Sequence, residues 1–236
     1  MPHSQHPDVI LLLSGGIDST TVLAGLVDVG LVPLCLTFSY GQTLLYEVEV
    51  AQTNAFRYNV PHMIIKEDLS YLRHVCSILG GAPPITTHRS LSDINQDPTP
   101  SSYVPFRNGI FLAHAVALGE SRSIPDIYSG ANGLHSGVYP DDTAPFAHAF
   151  TKAARIGTSS RYQPCIHFPF AHITKPEIVA KAIKLAVDLK STVSCYQPTG
   201  IVHCGVCDSC IVRQDAMQQH GLTIQGHPSD RSIYSQ

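Results

Sequence analysis

The alternation of apolar and polar stretches predicts that strands and helices follow one another along this chain. Residues 9–13 are a short apolar run that enters Ser-Gly-Gly at 14–16, a pattern typical of a buried strand followed by a tight turn. Residues 18–20, Asp-Ser-Thr, are types that cap helix N-termini, and 21–29 have an amphipathic helical pattern. The segment therefore predicts the order strand, glycine loop, helix.

The rest of the chain continues this alternation. Further strands are predicted at 31–39, 60–65 and 126–130, and further helices at 44–59, 69–79, 110–121, 145–157 and 174–189, with a last short helix after 210. Strand, helix, strand units predict a parallel sheet, here with helices on both faces. Residues 80–103 are rich in Pro, Ser, Thr and Asp and are predicted as a long loop.

The glycine loop at the start of the first helix is suited to bind phosphate. Glycines let backbone N–H groups approach an anion closely, and a helix N-terminus adds further donors and a positive dipole. The lysine of a Walker loop is missing, which excludes that motif, and an ordinary strand-to-helix turn is the alternative. Tyr40 and Gln42 follow the second strand, at the sheet edge where ligands bind in open α/β folds.

Four of the seven cysteines are concentrated near the C-terminus, at Cys195, Cys204, Cys207 and Cys210. The spacing C-x8-C-x2-C-x2-C predicts a closed tetrahedral site of four thiolates, which suits structural Zn²⁺. An iron–sulfur cluster uses the same number of ligands. His203 is the alternative ligand but is expected to be a solvated neighbour. The other cysteines are expected to be small buried apolar residues: Cys35, Cys76 and Cys165.

Composition and charge exclude several classes of protein. The chain has 236 residues, 44% of them hydrophobic, and a net charge of −3, so no basic surface indicates nucleic-acid binding. No apolar run approaches the length that crosses a membrane, and residues 1–7 lack the charged start of a signal peptide. Clustered cysteines without an export signal favour metal ligation in a cytoplasmic protein.

The motifs taken together resemble a known family. The strand followed by Ser-Gly-Gly-x-Asp-Ser resembles the PP-loop ATP pyrophosphatases. Further stretches resemble, within that superfamily, the QueC family of 7-cyano-7-deazaguanine synthases, at 40–47, 104–112, 139–141, 146–150, 175–178 and 192–196 with the cysteine cluster. The resemblance implies an α/β fold with a Rossmann-like, doubly wound parallel sheet of the PP-loop (adenine nucleotide alpha hydrolase) type. We divide it into an ATP-binding domain, 1–190, and a small four-cysteine zinc subdomain, 191–236.

The resemblance also implies a reaction and its participants. Such enzymes use ATP to adenylate 7-carboxy-7-deazaguanine with loss of pyrophosphate, and attack by ammonia then gives the amide. A second ATP activates the amide, which dehydrates to the nitrile. The implied cofactors are ATP, Mg²⁺ and Zn²⁺, and the implied assembly is a homodimer. Neither a nucleic acid nor a membrane is an expected partner.

The resemblance carries roles over to individual residues. The residues implied to hold the ATP phosphates are Ser14, Gly15, Gly16, Asp18 and Ser19. Lys175 is implied to stabilise charge on the α-phosphate or the departing pyrophosphate, and Arg107 with Asn108 to lie at the mouth of the site. The remaining positions implied to contact the substrate are Tyr40, Gln42, Tyr139 and Asp141.

The sequence departs from the family pattern on the expected acceptor side of the site. Thr43 and Leu44 replace a basic residue and a histidine, residues 135–138 differ, and Asp142-Thr143 replaces Cys-Arg. This distribution leaves two versions of the reaction open. One is the ordinary amide and nitrile synthesis. The other is a paralogue that ligates the activated carboxylate to an amine of a protein or peptide, as in QueC-like components of bacterial antiviral defence, with Asp142 orienting or deprotonating that amine. A non-catalytic nucleotide-binding zinc protein is a more distant alternative.

Overall fold

A five-stranded parallel sheet forms the centre of the molecule. The computed structural model describes residues 6–81, 83–133, 139–198, 202–222 and 233–234. The sheet order is β3-β2-β1-β4-β5, and every pairing is parallel. Its strands are β1 (Val9–Leu12), β2 (Pro33–Ser39), β3 (His62–Lys66), β4 (Asp126–Ser129) and β5 (Cys165–His167). The strand order reverses between β1 and β4, which in such folds opens a ligand crevice at the carboxyl edge.

Helices cover both faces of this sheet, as the sequence predicts. They are α1 (Ile17–Asp28), α2 (Tyr46–Arg57), α3 (Leu91–Gln96), α4 (Arg107–Arg122), α5 (Ala144–Gly157), α6 (Lys175–Lys184) and α7 (Asp208–Gln218). Leu11 and Leu13 pack into a core shared with α1, α2, α6 and α7, whereas Ile10 and Leu12 pack into a second core shared with α4 and α5. This alternation along one strand is the physical basis of a doubly wound sheet, because successive side chains point to opposite faces.

The C-terminal region adds a small element of its own. A two-stranded parallel pair joins β6 (Val202–His203) to β7 (Ile233–Tyr234). Ala216 and Met217 of α7 are fully buried in the core beside α1 and α6. The division of the chain into 1–190 and 191–236 stays a prediction. Among the described residues, no helix combines the length and the hydropathy needed to cross a bilayer.

Several predicted boundaries differ from the structure. Helix α1 begins at Ile17 with Gly16 as its N-cap, so Asp18 lies inside the first turn instead of capping it. The predicted helix 69–79 is instead two short 3₁₀ turns, Ser70–Leu72 and Ser77–Leu79. Ser77 donates backbone and side-chain hydrogen bonds to the Ser101 carbonyl, and this tertiary anchor competes with helix formation.

Two further elements were not predicted, and one helix ends before its predicted end. Residues 80–103 contain α3, whose first turn has a capping box between Ser90 and Asp93. The three-residue strand β5 is too short to produce an alternating pattern. Helix α6 ends at Lys184, five residues earlier than expected, because Ala186 adopts a left-handed conformation (φ 53°) and Val187 N–H bonds back to the Ala182 carbonyl.

Gly15 is a position where the fold requires glycine. Its φ is +80°, and a Cβ there would lie 3.0 Å from the Ala51 nitrogen, the Glu47 carbonyl oxygen and Val50 Cγ1 of α2. Gly30 has a similar φ of +84° but faces open space. The two glycines therefore separate the cost of backbone strain from that of steric contact.

We expect Gly15→Ala to destabilise the protein by more than Gly30→Ala. The control substitution carries only the left-handed strain of roughly 1–2 kcal/mol, and Gly15→Ala adds the collision with α2. Urea unfolding of the ligand-free protein measures both free energies. Equal destabilisation by the two substitutions would show that α2 moves away at no cost.

Candidate active site

A cavity of about 400 Å³ lies at the carboxyl edge of β1, β2 and β4. Lining residues come from the first turns of four helices: Asp18 of α1, Arg107 of α4, Lys175 of α6 and Asp208 of α7. Helix N-termini present unpaired N–H groups and the positive ends of their dipoles. The convergence of four N-termini on one cavity therefore suits a polyanionic ligand.

The glycine loop forms the floor of this cavity and is held by short polar contacts. Ser19 Oγ accepts a hydrogen bond from Ser14 N–H (3.2 Å) and lies 3.1 Å from Ser14 Oγ. The end of β4 approaches closely at Gly130, where a Cβ would lie 2.6 Å from the Ser19 nitrogen. The first turn of α1 therefore packs directly on the backbone that follows β4.

Lys175 and Asp18 form an ion pair within the cavity wall. The Lys175 ammonium donates to both Asp18 oxygens, at 2.6 and 2.7 Å, with side-chain exposures of 18% and 22%. Lys175 is the first residue of α6, where the helix dipole disfavours a positive charge. Asp18 offsets that repulsion and holds the ammonium toward the cavity.

A second charged group surrounds Arg107. Its guanidinium donates to the Tyr40 hydroxyl (3.0 Å) and lies 5.7 Å from the centre of the Tyr40 ring. Gln42 binds the Phe38 carbonyl and the Glu47 carboxylate (2.9 Å). Burial raises the pKa of Glu47 to about 7, although Arg107 and the Gln42 hydrogen bond act in the opposite direction. Glu47 belongs to a matched motif, but sequence reasoning assigned it no role.

Two adjacent aspartates serve the start of α4 in different ways. Asp141 is 3% exposed and accepts a hydrogen bond from Asn108 N–H (2.9 Å). Asp142 accepts one from the Asn108 side-chain amide. Burial raises the pKa of Asp142 to about 7, the neighbouring Asp141 adds to the rise, and Arg107 opposes it. Asp142 faces the cavity, and its burial favours the protonated form.

The structure brings most of the predicted site residues together. The cavity is lined by Ser14, Gly16, Asp18, Ser19, Tyr40, Gln42, Arg107, Asn108, Tyr139, Asp142 and Lys175. Gly15 forms the turn against α2, and Asp141 supports α4 without being part of the lining. Tyr139 lies 2.8 Å from the Ser102 hydroxyl.

The positions that depart from the family pattern have different environments. Leu44 lines the cavity, and Thr43 binds the Ile78 carbonyl through its N–H and its hydroxyl. Thr143 is the N-cap of α5 and accepts a hydrogen bond from Phe146 N–H (3.2 Å). Residues 135–138 lie outside the described residues.

The four-cysteine cluster has the geometry of a metal centre. One sulfur from each of Cys195, Cys204, Cys207 and Cys210 lies within 4.8 Å of all the others. Backbone N–H groups donate to two of these sulfurs, Cys195 Sγ from Cys204 and Cys204 Sγ from Cys207, both at 3.3 Å. Four converging sulfurs, two of which accept amide hydrogen bonds, fit a closed thiolate site of the kind that Zn²⁺ occupies as a structural ion.

Two expectations about solvent exposure are wrong, those for His203 and Cys165. His203 is 2% exposed instead of solvated, and burial lowers its pKa to about 4. Cys35 and Cys76 are fully buried as expected, but Cys165 is half-buried on the edge strand β5. Neither His203 nor Cys165 lies in a stretch whose alternation of apolar and polar residues predicts burial.

The long loop docks on the cysteine cluster through a contact that sequence reasoning missed. Arg89 donates twice to Asp208 (3.1 and 2.6 Å) and once to Asp97 (2.6 Å), and Thr86 also donates to Asp208 (2.6 Å). Asp208 directly follows Cys207 and is 9% exposed. Arg89 and Asp208 are 119 residues apart, so no local pattern could connect them. The contact makes the loop a wall of the cavity.

Comparison with known proteins identifies the family. The family "Queuosine biosynthesis protein QueC" matches residues 8–221. The chain therefore belongs to the QueC family. It is 37% identical over 219 residues to the 7-cyano-7-deazaguanine synthase of Kineococcus radiotolerans, with 91% of this chain and 94% of that protein covered. The protein of the same name from Citrifermentans bemidjiense is 36% identical over 219 residues, with 91% and 94% covered.

A solved structure confirms the fold of this QueC-family chain. NMN synthetase from Francisella tularensis has a TM-score of 0.50 and 14% identity, covering 94% of this chain and 80% of its own. At that identity the similarity concerns the fold alone. The expected doubly wound sheet of the PP-loop type, with a four-cysteine cluster near the C-terminus, is thus confirmed.

We expect Asp208→Asn to release the long loop from the cysteine cluster, whereas Asp97→Asn leaves it docked. The first change removes the charge that accepts three hydrogen bonds, and such charge-assisted contacts contribute roughly 1.5–3 kcal/mol each. The control removes a charge that pairs with the same Arg89 at a single nitrogen. Amide hydrogen exchange of residues 86–98 measures the effect. Equal exchange in both variants would contradict a role for Asp208 as the anchor.

Proposed function

We propose that this protein is an ATP-dependent enzyme that adenylates 7-carboxy-7-deazaguanine and then forms its amide. The observation that carries the proposal is the convergence of four helix N-termini and the Ser14–Ser19 glycine loop on one cavity that also contains Lys175 and Arg107. Family membership supports the same reaction, because the curated relatives are named 7-cyano-7-deazaguanine synthases. The ordinary continuation is a second activation that yields the nitrile.

In this proposal each cationic group has a separate task. The glycine loop and the N-terminus of α1 bind the ATP phosphates through backbone N–H groups. Lys175 binds the oxygens on which negative charge develops as pyrophosphate leaves. Arg107 has a planar guanidinium suited to a carboxylate, which makes it a candidate for the deazaguanine acid. Mg²⁺ would screen the phosphates, and Zn²⁺ would fill the cysteine cluster as a structural ion. A homodimer and a cytoplasmic location stay predictions.

The first test is release of pyrophosphate from ATP with and without 7-carboxy-7-deazaguanine. We expect release that depends on the carboxylate. Lys175→Ala should slow it by roughly 10²–10³-fold, the usual effect of removing one preorganised contact to a developing charge. Asp18→Ala should abolish adenylation while the protein stays folded, because Asp18 both positions Lys175 and belongs to the loop proposed to hold the ATP phosphates.

Lys184→Ala is the matched control, since Lys184 lies in the last turn of the same helix and is exposed. Its rate should equal that of the unmodified protein. If the unmodified protein releases no pyrophosphate in response to the carboxylate, the enzyme proposal fails and a nucleotide-binding zinc protein becomes the better explanation.

A second candidate function is ligation of the activated carboxylate to an amine of a protein or peptide. The observation that favours it is Asp142, a carboxyl group with a pKa raised to about 7 that faces the cavity beside Asn108. A group with that pKa is suited to accept a proton from an attacking amine near neutral pH. Leu44, an apolar lining residue where the family pattern has a histidine, also favours a different acceptor. Mass spectrometry of the product separates nitrile, free amide and conjugated amine.

We expect the step that consumes the adenylate to accelerate as the pH rises through about 7, because Asp142 must be ionised to act as a base. Asp142→Asn should flatten this profile and leave pyrophosphate release intact. Stability should change in the opposite direction. A carboxyl with a raised pKa holds its proton in the folded state, so stability is lost as the pH rises from roughly 4 through 7.

Glu47→Gln is the control, because the pKa of Glu47 is raised to a similar value. If the pH profile flattens with Glu47→Gln and not with Asp142→Asn, then Glu47 and not Asp142 accepts the proton, and our assignment is wrong.

A further inference from the structure

A second group of metal-ligating side chains lies at the far edge of the sheet. Cys165 and His167 are alternate residues of β5 and so point to the same face. Asp126 is the register partner of Cys165 on β4. One ligand atom from each of these three residues lies within 4.8 Å of the other two. None of the three lines the cavity at the carboxyl edge.

The geometry of this group is close to that of a bound transition metal. Bonds to Zn²⁺ of about 2.0–2.3 Å place ligand atoms roughly 3–4 Å apart around the ion. His167 Nε2 already lies 2.7 Å from Asp126 Oδ1, and the His167 ring is stacked on Tyr128 with centroids 4.5 Å apart. The stacking fixes the plane of the imidazole beside Asp126.

The group is accessible from solvent and has room for a further ligand. The side chains of His167 and Asp126 are 33% and 42% exposed. Cys165 and His167 border an open depression of about 580 Å³ that His148 and His172 also line. A water molecule can therefore occupy a fourth position.

We propose that Asp126, Cys165 and His167 form a second metal site, which binds a divalent ion of the Zn²⁺ type. The donor set decides the class of ion, since a thiolate and an imidazole favour zinc-like metals over Mg²⁺ or Ca²⁺. Binding requires the thiolate and a free imidazole nitrogen, so the displaced protons pass to solvent. The site is distinct from the cysteine cluster, which is completed by its own four sulfurs. Three protein ligands leave one exchangeable position, unlike a closed structural centre.

The test is equilibrium dialysis of the full chain against buffered free Zn²⁺, with the metal content of each variant measured by elemental analysis. We expect Cys165→Ser and His167→Ala each to bind one equivalent fewer than the unmodified protein. Asp126→Asn provides a third variant in case either change affects folding, which thermal unfolding monitors. Cys207→Ser should lose the zinc bound by the four-cysteine cluster and keep the zinc bound by Asp126, Cys165 and His167.

His114→Ala is the matched control. His114 lies 2.7 Å from Glu67 in a pair of similar exposure that has no thiol, so its removal should leave the zinc content unchanged. The proposal is overturned if Cys165→Ser binds as much zinc as the unmodified protein. It is equally overturned if His114→Ala loses as much as His167→Ala.

Discussion

The hydrogen bond from Val193 N–H to the Gly15 carbonyl (3.0 Å) joins the two regions on which the site depends. The Gly15 carbonyl points toward Val193 because Gly15 adopts a left-handed conformation. Only glycine fits there, since a Cβ would collide with α2. Two residues later the chain reaches Cys195, the first member of the cysteine cluster. The glycine loop and the four-cysteine cluster are therefore connected through a few covalent and hydrogen bonds.

Buried polar groups hold this connecting segment in place. Arg213 is fully buried and donates to Thr192 Oγ1 (2.9 Å), Ser194 Oγ (3.1 Å) and the Leu189 carbonyl (2.8 Å). Asn54 of α2 donates to the Ser191 carbonyl (2.8 Å). A buried guanidinium is stable only when its donors are used, so these contacts specify a single path for the backbone. The cysteine cluster also positions the long loop, because Asp208 directly follows Cys207 and accepts hydrogen bonds from Arg89.

The electrostatics of the cavity follow from this arrangement. Helix N-termini favour anions, yet Lys175 lies at one of them, and its ion pair with Asp18 compensates for the unfavourable dipole. Glu47 and Asp142 face Arg107 and still have pKa values raised to about 7, because burial outweighs its attraction. Charges that local rules disfavour are thus concentrated where a charged ligand would bind, a pattern expected of functional sites.

The sequence by itself determined the parallel sheet, the glycine loop, the start of α6 and the cysteine cluster, because each depends on residues that are near neighbours in the chain. Tertiary structure decided the rest. Residues 69–79 form 3₁₀ turns because Ser77 binds Ser101, and β5 exists because β4 provides its partner. Lys175 and Asp18 are 157 residues apart, and Arg89 and Asp208 are 119 apart. Such pairs leave no local pattern, since only the folded backbone brings their charges within hydrogen-bond distance.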